Sequence, residues 1–245
     1  MSDEQNLDNA VDLRLLANFV HQIINPLNGV IGTLDNVIDG TVGPDRRDQR
    51  LRAVRAQLEW TVSLVRNLAY FTDASLEAAT GGTTDTSKTC VIPQLIIEAA
   101  QFFQEAGASR NIEIFLEDRR TQYAVTGSPD LLRQVFMNLF DNAVKYADEG
   151  TTVRVVARDQ KKSGQLIVEV TNQGRGFSFD EREKLFEIGY RGDAATEVIA
   201  SGTGLGLYIC RRIMHDVHAG TIEAEHSPRT HTTVFRLRFP EWRLS

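Results

Sequence analysis

The sequence predicts a helical hairpin followed by an α+β domain, and three observations carry that reading. Apolar residues recur at alternating four- and three-residue intervals in the first part of the chain, a small polar stretch interrupts them, and helical and strand patterns then interleave. No βαβ rhythm repeats, so the second part is an α+β layer structure rather than a doubly wound sheet. A length of 245 residues suits one or two domains with at least one sizeable core.

The first helix follows from Leu16, Val20, Ile23, Leu27, Val30, Leu34 and Val37, a seam of the coiled-coil or bundle type. Asp39-Gly40-Thr41-Val42-Gly43-Pro44-Asp45 supplies a stop and a restart. A second helix carries Leu51, Val54, Leu58, Val65 and Leu68 on the same spacing, with Thr61 in the remaining slot. Two such helices cannot cover their own apolar stripe, so a homodimer packed as a four-helix bundle is expected. Residues 1–78 form this unit. Residues 79–89, from Ala79 to Thr89, read as a linker, and 90–245 as the second domain.

In the second domain a helix is expected over Pro93–Glu105 and a strand at Ile112–Glu117, where apolar and other residues alternate. A helix over Pro129–Ala147 is led by Ser128 as N-cap. Val153–Arg158 and Leu166–Thr171 flank Lys161-Lys162-Ser163-Gly164 as a hairpin; Gly204–Val217 is helical, and Thr221–Glu225 and Thr232–Phe239 pair as strands.

Composition narrows the function. Lys and Arg number 27 against 33 Asp and Glu, a formal charge of −6, which argues against a phosphate-neutralising surface and so against nucleic acid as a partner. Two cysteines, Cys90 and Cys210, have neither disulfide-framework nor zinc spacing. Leu15–Leu34 lacks charge over a membrane-span length, yet Asn18, His21, Gln22, Asn25 and Asn28 are too polar for lipid. The acidic start is unlike a signal peptide, and a cytoplasmic location without a membrane span is expected.

Three clusters in the second domain suit nucleotide chemistry. Asn138, Asn142 and Lys145 lie at i, i+4 and i+7 on one helix face, offering amide oxygens for a metal and an ammonium for phosphate beside Tyr146. Asn172-Gln173-Gly174-Arg175-Gly176 follows an apolar strand, where glycines let backbone approach a flat ligand or merely turn the chain. Gly202-Thr203-Gly204-Leu205-Gly206-Leu207 opens a helix, where free N–H groups favour phosphate. A Walker A loop and a Rossmann G-x-G-x-x-G after a first strand are both missing from the sequence.

Taken in order, Asp130-x-x-Arg133-Gln134-Val135-Phe136-x-Asn138-Leu139-x-x-Asn142-Ala143-x-Lys145-Tyr146, Asn172-x-Gly174-x-Gly176, Leu185-Phe186-x-x-x-x-Arg191 and Gly202-x-Gly204-Leu205-Gly206-Leu207 resemble the N, G1, F and G2 boxes of sensor histidine kinases. Phe19-Val20-His21-Gln22-Ile23-Ile24-Asn25-Pro26-Leu27 resembles the H box of their phosphotransfer helices. The resemblance covers essentially the whole chain. It implies an α/β-sandwich ATP-binding domain of the GHKL type behind a dimeric four-helix bundle.

It further implies that His21 accepts the γ-phosphoryl group of ATP and passes it to an aspartate on a response regulator receiver domain. Asn142 would ligate Mg²⁺ with Asn138 beside it; Lys145 would contact phosphate, Tyr146 the adenine or ribose, and Arg191 the γ-phosphate. Residues 177–201 would form a mobile lid. Two positions depart from the family. Gln22 stands where an acid usually takes the ring proton, so weak or conditional autophosphorylation is expected. Asn172 stands where an aspartate usually accepts from adenine N6, which removes charge assistance worth on the order of 1 kcal/mol. Asn25 matches a position that orients water for phosphatase activity. The alternative is a phosphotransfer or phosphatase scaffold with a degenerate ATP site. Sensory input is expected from another protein or a region absent from this sequence.

Overall fold

A computed structural model of the chain describes residues 2–80, 87–192 and 204–245. They divide into a helical unit and an α/β unit. No described helix is long and apolar enough to cross a membrane.

The helical unit is the expected hairpin. Helix α1 spans Ser2–Ile38 and α2 spans Pro44–Thr80. Helix α1 runs through Pro26, and the turn is closed by Thr41, whose amide and hydroxyl both donate to the Asn36 carbonyl, at 3.1 and 2.7 Å. Gly29 lies against the Gln57 side chain, so the helices approach closely there. The buried positions differ from the expected seam. Phe19, Val30, Val37, Val54, Thr61 and Leu64 are buried, whereas Val20, Leu58 and Val65 are 45 %, 42 % and 46 % exposed. The apolar face is broader than one seam: the exposed set Val20, Ile24, Ile31 and Ile38 follows its own helical spacing one residue along from Phe19, Val30 and Val37.

The α/β unit holds two sheets. Five strands, β2 (Glu113–Leu116), β4 (Thr152–Gln160), β5 (Gln165–Gln173), β7 (Thr232–Phe239) and β6 (Thr221–Ser227), lie in the order β2-β4-β5-β7-β6. Only β2 with β4 is parallel. On one face Val153, Val155, Leu166, Val168, Val170, Phe235, Leu237, Phe239, Ile222 and Ala224 are buried. Helices α3 (Ile92–Gln101), α5 (Pro129–Tyr146) and α6 (Gly206–His218) form the layer packed on this unit's sheet. The other face carries ion pairs instead: Glu117 with Arg154, Arg158 and Arg236 on Glu169, and Arg238 on Glu223. That alternation is the period of two that a half-buried sheet requires.

The second sheet was not expected. Strands β1 (Lys88–Val91), β3 (Tyr123–Gly127) and β8 (Arg243–Leu244) form it in the order β1-β3-β8. These strands have two to five residues, too short for an alternation pattern, and β1 begins inside the expected linker. The expected helix over Pro93–Glu105 is also corrected: it stops at Gln101, and a short α4 (Gln104–Ala108) follows. Both cysteines are buried as free thiols, and burial pushes Cys90 up to about 11 and Cys210 up to about 12, so neither forms a thiolate near neutral pH.

Candidate functional site

Helix α5 is the spine of the candidate site. Pro129 sets its first turn, but Ser128 does not cap it as expected; the Ser128 carbonyl accepts from the Leu132 amide at 3.0 Å and its side chain makes no capping bond. The other end is held from a distance. Arg110 donates to the carbonyls of Val144 at 2.6 Å, Lys145 at 3.2 Å and Ala147 at 2.7 Å, satisfying carbonyls that the helix leaves open at its C-terminus. The sequence gives no sign of this clamp, because the partners lie 34 to 37 residues away.

Both other clusters are tied to this helix. The Asn138 amide, only 4 % exposed, donates to the Gly206 carbonyl at 3.2 Å, and its oxygen accepts from Gln134 at 3.3 Å. Asn138 thus anchors the start of α6. At the far end, Ala147 bridges Gly174, and the Asp148 amide donates to the Gln173 carbonyl at 2.8 Å. Gly174 has φ +153, and a Cβ there would lie 2.1 Å from the Tyr146 carbonyl oxygen, so the helix end and the loop after β5 meet backbone to backbone. Gly204 has φ +67 and packs on Gly189, whose amide donates to it at 3.2 Å.

The side chains between these ties are half-buried. Asn142 and Tyr146 lie on α5 at that depth. Lys145 pairs with Asp141 one turn back, and burial pushes the Asp141 carboxyl up against the pull of that ammonium. Burial also pushes the Tyr146 phenol up, while the charges of Lys145 and Arg191 act in the opposite direction. Arg191 is therefore close enough to Tyr146 for its field to count. Asn142 offers a neutral, hard oxygen donor, which fits Mg²⁺ held chiefly by phosphate and water; among the described residues no cluster of His, Cys, Asp or Glu forms an all-protein metal cage.

The segment before Arg191 is folded on Glu181. Its carboxylate accepts from the Ser178 amide at 2.8 Å and the Tyr190 hydroxyl at 3.0 Å, and Gly192 lies against it. Phe186 is buried beneath Arg211 in a cation–π contact of 5.6 Å. Gly202 and Thr203, with 193–201 of the expected lid, lie outside the described residues. Leu205 is buried and Gly206 begins α6.

Asn172 and Gly176 have partners that sequence reasoning missed. Asn172 pairs in register with Thr233 and is 3 % exposed. Gly176 lies against the His226 ring, and a Cβ there would come 2.0 Å from Nδ1. In the helical unit His21 and Asn25 are exposed on α1, and Gln22 is half-exposed between them.

Residues 127–243 match the family described as histidine kinase-, DNA gyrase B-, and HSP90-like ATPases. The chain is 31 % identical over 217 residues to the signal transduction histidine-protein kinase BaeS of Escherichia coli, covering 87 % of this chain and 44 % of that protein. The catalytic domain of histidine kinase ThkA, nucleotide free, superposes with a TM-score of 0.52 at 27 % identity over 62 % of this chain and 95 % of that one. A structure of ThkA with the response regulator protein TrrA superposes at 0.55 and 21 % identity over 96 % and 63 %, a likeness of fold. The chain spans between 23 % and 44 % of the length of BaeS and two further sensor proteins that it matches.

Proposed function

We propose, from the premise that this chain belongs to the sensor histidine kinases of two-component systems, that it binds Mg·ATP in the α/β unit and transfers the γ-phosphoryl group to His21. The observation that carries the proposal is that α5 is tied to Gly206 at its middle, through Asn138, and to Gly174 just past its C-terminal end, through Ala147. Three clusters separated in sequence thereby converge on one helix. Asn142 would hold the metal and Lys145, released from Asp141, would meet phosphate. The backbone amides at the start of α6 would receive phosphate oxygens. Bound Mg²⁺ supplies screening of the triphosphate charge; the protein supplies alignment.

His21 acts as nucleophile through an unprotonated ring nitrogen, with the other nitrogen keeping its hydrogen. Its exposure on α1 leaves it open to a donor and to the aspartate of a response regulator. Gln22 can fix the ring tautomer but cannot take its proton, which favours slow transfer. The same residue supports a second reading, a phosphotransfer or phosphatase scaffold in which Asn25 orients water. A homodimer is part of the proposal, because Val20, Ile24 and Ile31 of α1 and Leu58, Val62 and Val65 of α2 leave an apolar face uncovered in the single chain.

Incubation with γ-labelled ATP tests the kinase. Acid-labile, alkali-stable label that disappears in His21→Ala is the expected result, and Gln22→Glu should raise its rate by about tenfold or more. ATP binding without label would favour the scaffold instead. An unchanged rate in Gln22→Glu would refute the role given to the missing acid.

A further inference from the structure

We propose that Arg110 is a positioning residue for phosphate binding, holding the last turn of α5 so that Lys145 meets the phosphates of Mg·ATP. This rests on reading the α5 cluster as a nucleotide site. The Arg110 guanidinium donates to the carbonyls of Val144 at 2.6 Å, Lys145 at 3.2 Å and Ala147 at 2.7 Å, so its fork spans the turn that carries Lys145 and Tyr146.

Arg110 is itself held before it reaches α5. Helix α4 ends in two backbone bonds that turn the chain back on it: the Ile112 amide donates to the Gly107 carbonyl at 2.8 Å and the Asn111 amide to the Ala108 carbonyl at 3.2 Å. That return needs left-handed backbone, which Asn111 adopts with φ +53. It also needs a glycine, since a Cβ on Gly107 would lie 2.4 Å from the Ile112 carbonyl oxygen. Arg110 stands just before Asn111, and its own carbonyl accepts from the Gly150 amide at 3.0 Å, in the turn that joins α5 to β4. The side chain of one residue thus holds the end of α5 while its backbone holds the turn that follows.

The same segment is joined to the end of β5, where Ala147 bridges Gly174 and the Asp148 amide donates to the Gln173 carbonyl at 2.8 Å. The last turn of a helix leaves its carbonyls without helical partners. Water would satisfy them without fixing their place, whereas three bonds from a planar, always charged group do both. A cation in the last turn can itself bend onto those carbonyls. Lys145 is such a cation, yet with Arg110 on the carbonyls its ammonium pairs with Asp141 one turn back. Loss of Arg110 would free the turn to fray and would offer Lys145 its own helix end in competition with phosphate. A shift of about 1 Å in a positioning group is enough to lose most of what that group contributes.

Calorimetric titration of the whole chain with Mg·ATP, on variants shown to be folded by circular dichroism, closes a double-mutant cycle. Arg110→Ala should weaken binding by about tenfold and Lys145→Ala by about tenfold or more, while the double variant should bind within about threefold of Lys145→Ala alone. Arg110→Lys, charged but without the fork, should recover only part of the loss. Native affinity in Arg110→Ala would overturn the proposal. So would a double variant weakened by the product of the two single losses, which is what a residue that only stabilises the unit would give. Where Arg110→Ala does not fold, Arg110→Lys takes its place in the cycle. A native chain that does not bind Mg·ATP would instead overturn the nucleotide reading beneath the proposal.

Discussion

His218 shows how a single side chain sets the response of the α/β unit to acid. Its ring is buried between Gly127, where a Cβ would come 2.1 Å from the ring, and Phe239, in an edge contact at 5.6 Å. Nδ1 meets the Thr126 carbonyl at 3.2 Å, but Nε2 is buried without a partner. Burial pushes the ring down to about 4 from 6.5. The folded state therefore keeps it neutral where the unfolded chain takes a proton. The associated stability is fully present above about pH 6.5 and is lost as the pH falls toward about 4, a change of about 3 kcal/mol at most. His218→Gln, neutral throughout, should remove that slope; denaturant unfolding of both proteins across this interval measures it, and equal slopes would refute the assignment. No sequence signal marks His218, because its neighbours come from β3 and β7.

At the scale of elements, the helices and the long strands were legible and their joints were not. The pattern from Val153 to Phe239 foretold β4 to β7 because each buries one face, and Pro129 foretold the start of α5. Its remaining supports came from afar: Arg110 at its C-terminus, and Arg133 of α5 itself pairing with Glu98 of α3 at 2.9 Å. Side chains that satisfy another element's backbone leave no periodicity behind. Arg110→Ala should destabilise the unit by about 2 kcal/mol, since it strips a charged donor from several carbonyls, and Arg110→Lys should recover part of the loss. Chemical denaturation of the three proteins reads this directly; an Ala variant as stable as the parent would mean that solvent satisfies the helix end equally well. The candidate site divides in the same way. Asn138, Asn142, Asn172 and the glycines stood out by type and spacing, whereas Thr233 and His226 emerged only from strand register.

For the whole molecule, the apolar residues left uncovered on α1 and α2 are the feature that the amino-acid pattern anticipated in kind and misplaced in detail. A heptad seam was read through Val20, Val30 and Val37, but burial divides these, with Val20 left out. The proposed bundle would account for this: a hairpin helix in a bundle has two neighbours, so its apolar stripe widens and a single seam line bisects it. Val62→Glu, at a position 50 % exposed in the single chain, should therefore shift the protein from dimer to monomer with little loss of helix content. Analytical ultracentrifugation with circular dichroism checks both; a native monomer, or a dimer indifferent to Val62→Glu, would sink the bundle.

The abutment of Gly189 on Gly204 has a consequence in polymer terms. The two residues are joined by the hydrogen bond that the Gly189 amide donates to the Gly204 carbonyl, and their backbones are too close for a side chain at Gly204. The chain between them is closed into a ring at its neck, so its end-to-end distance does not depend on how many residues it contains. Closing a ring of twice the length would add only about 0.6 kcal/mol of entropic cost. The glycines at the neck are thus held by main chain alone, and a side chain at Gly204 would force the neck open.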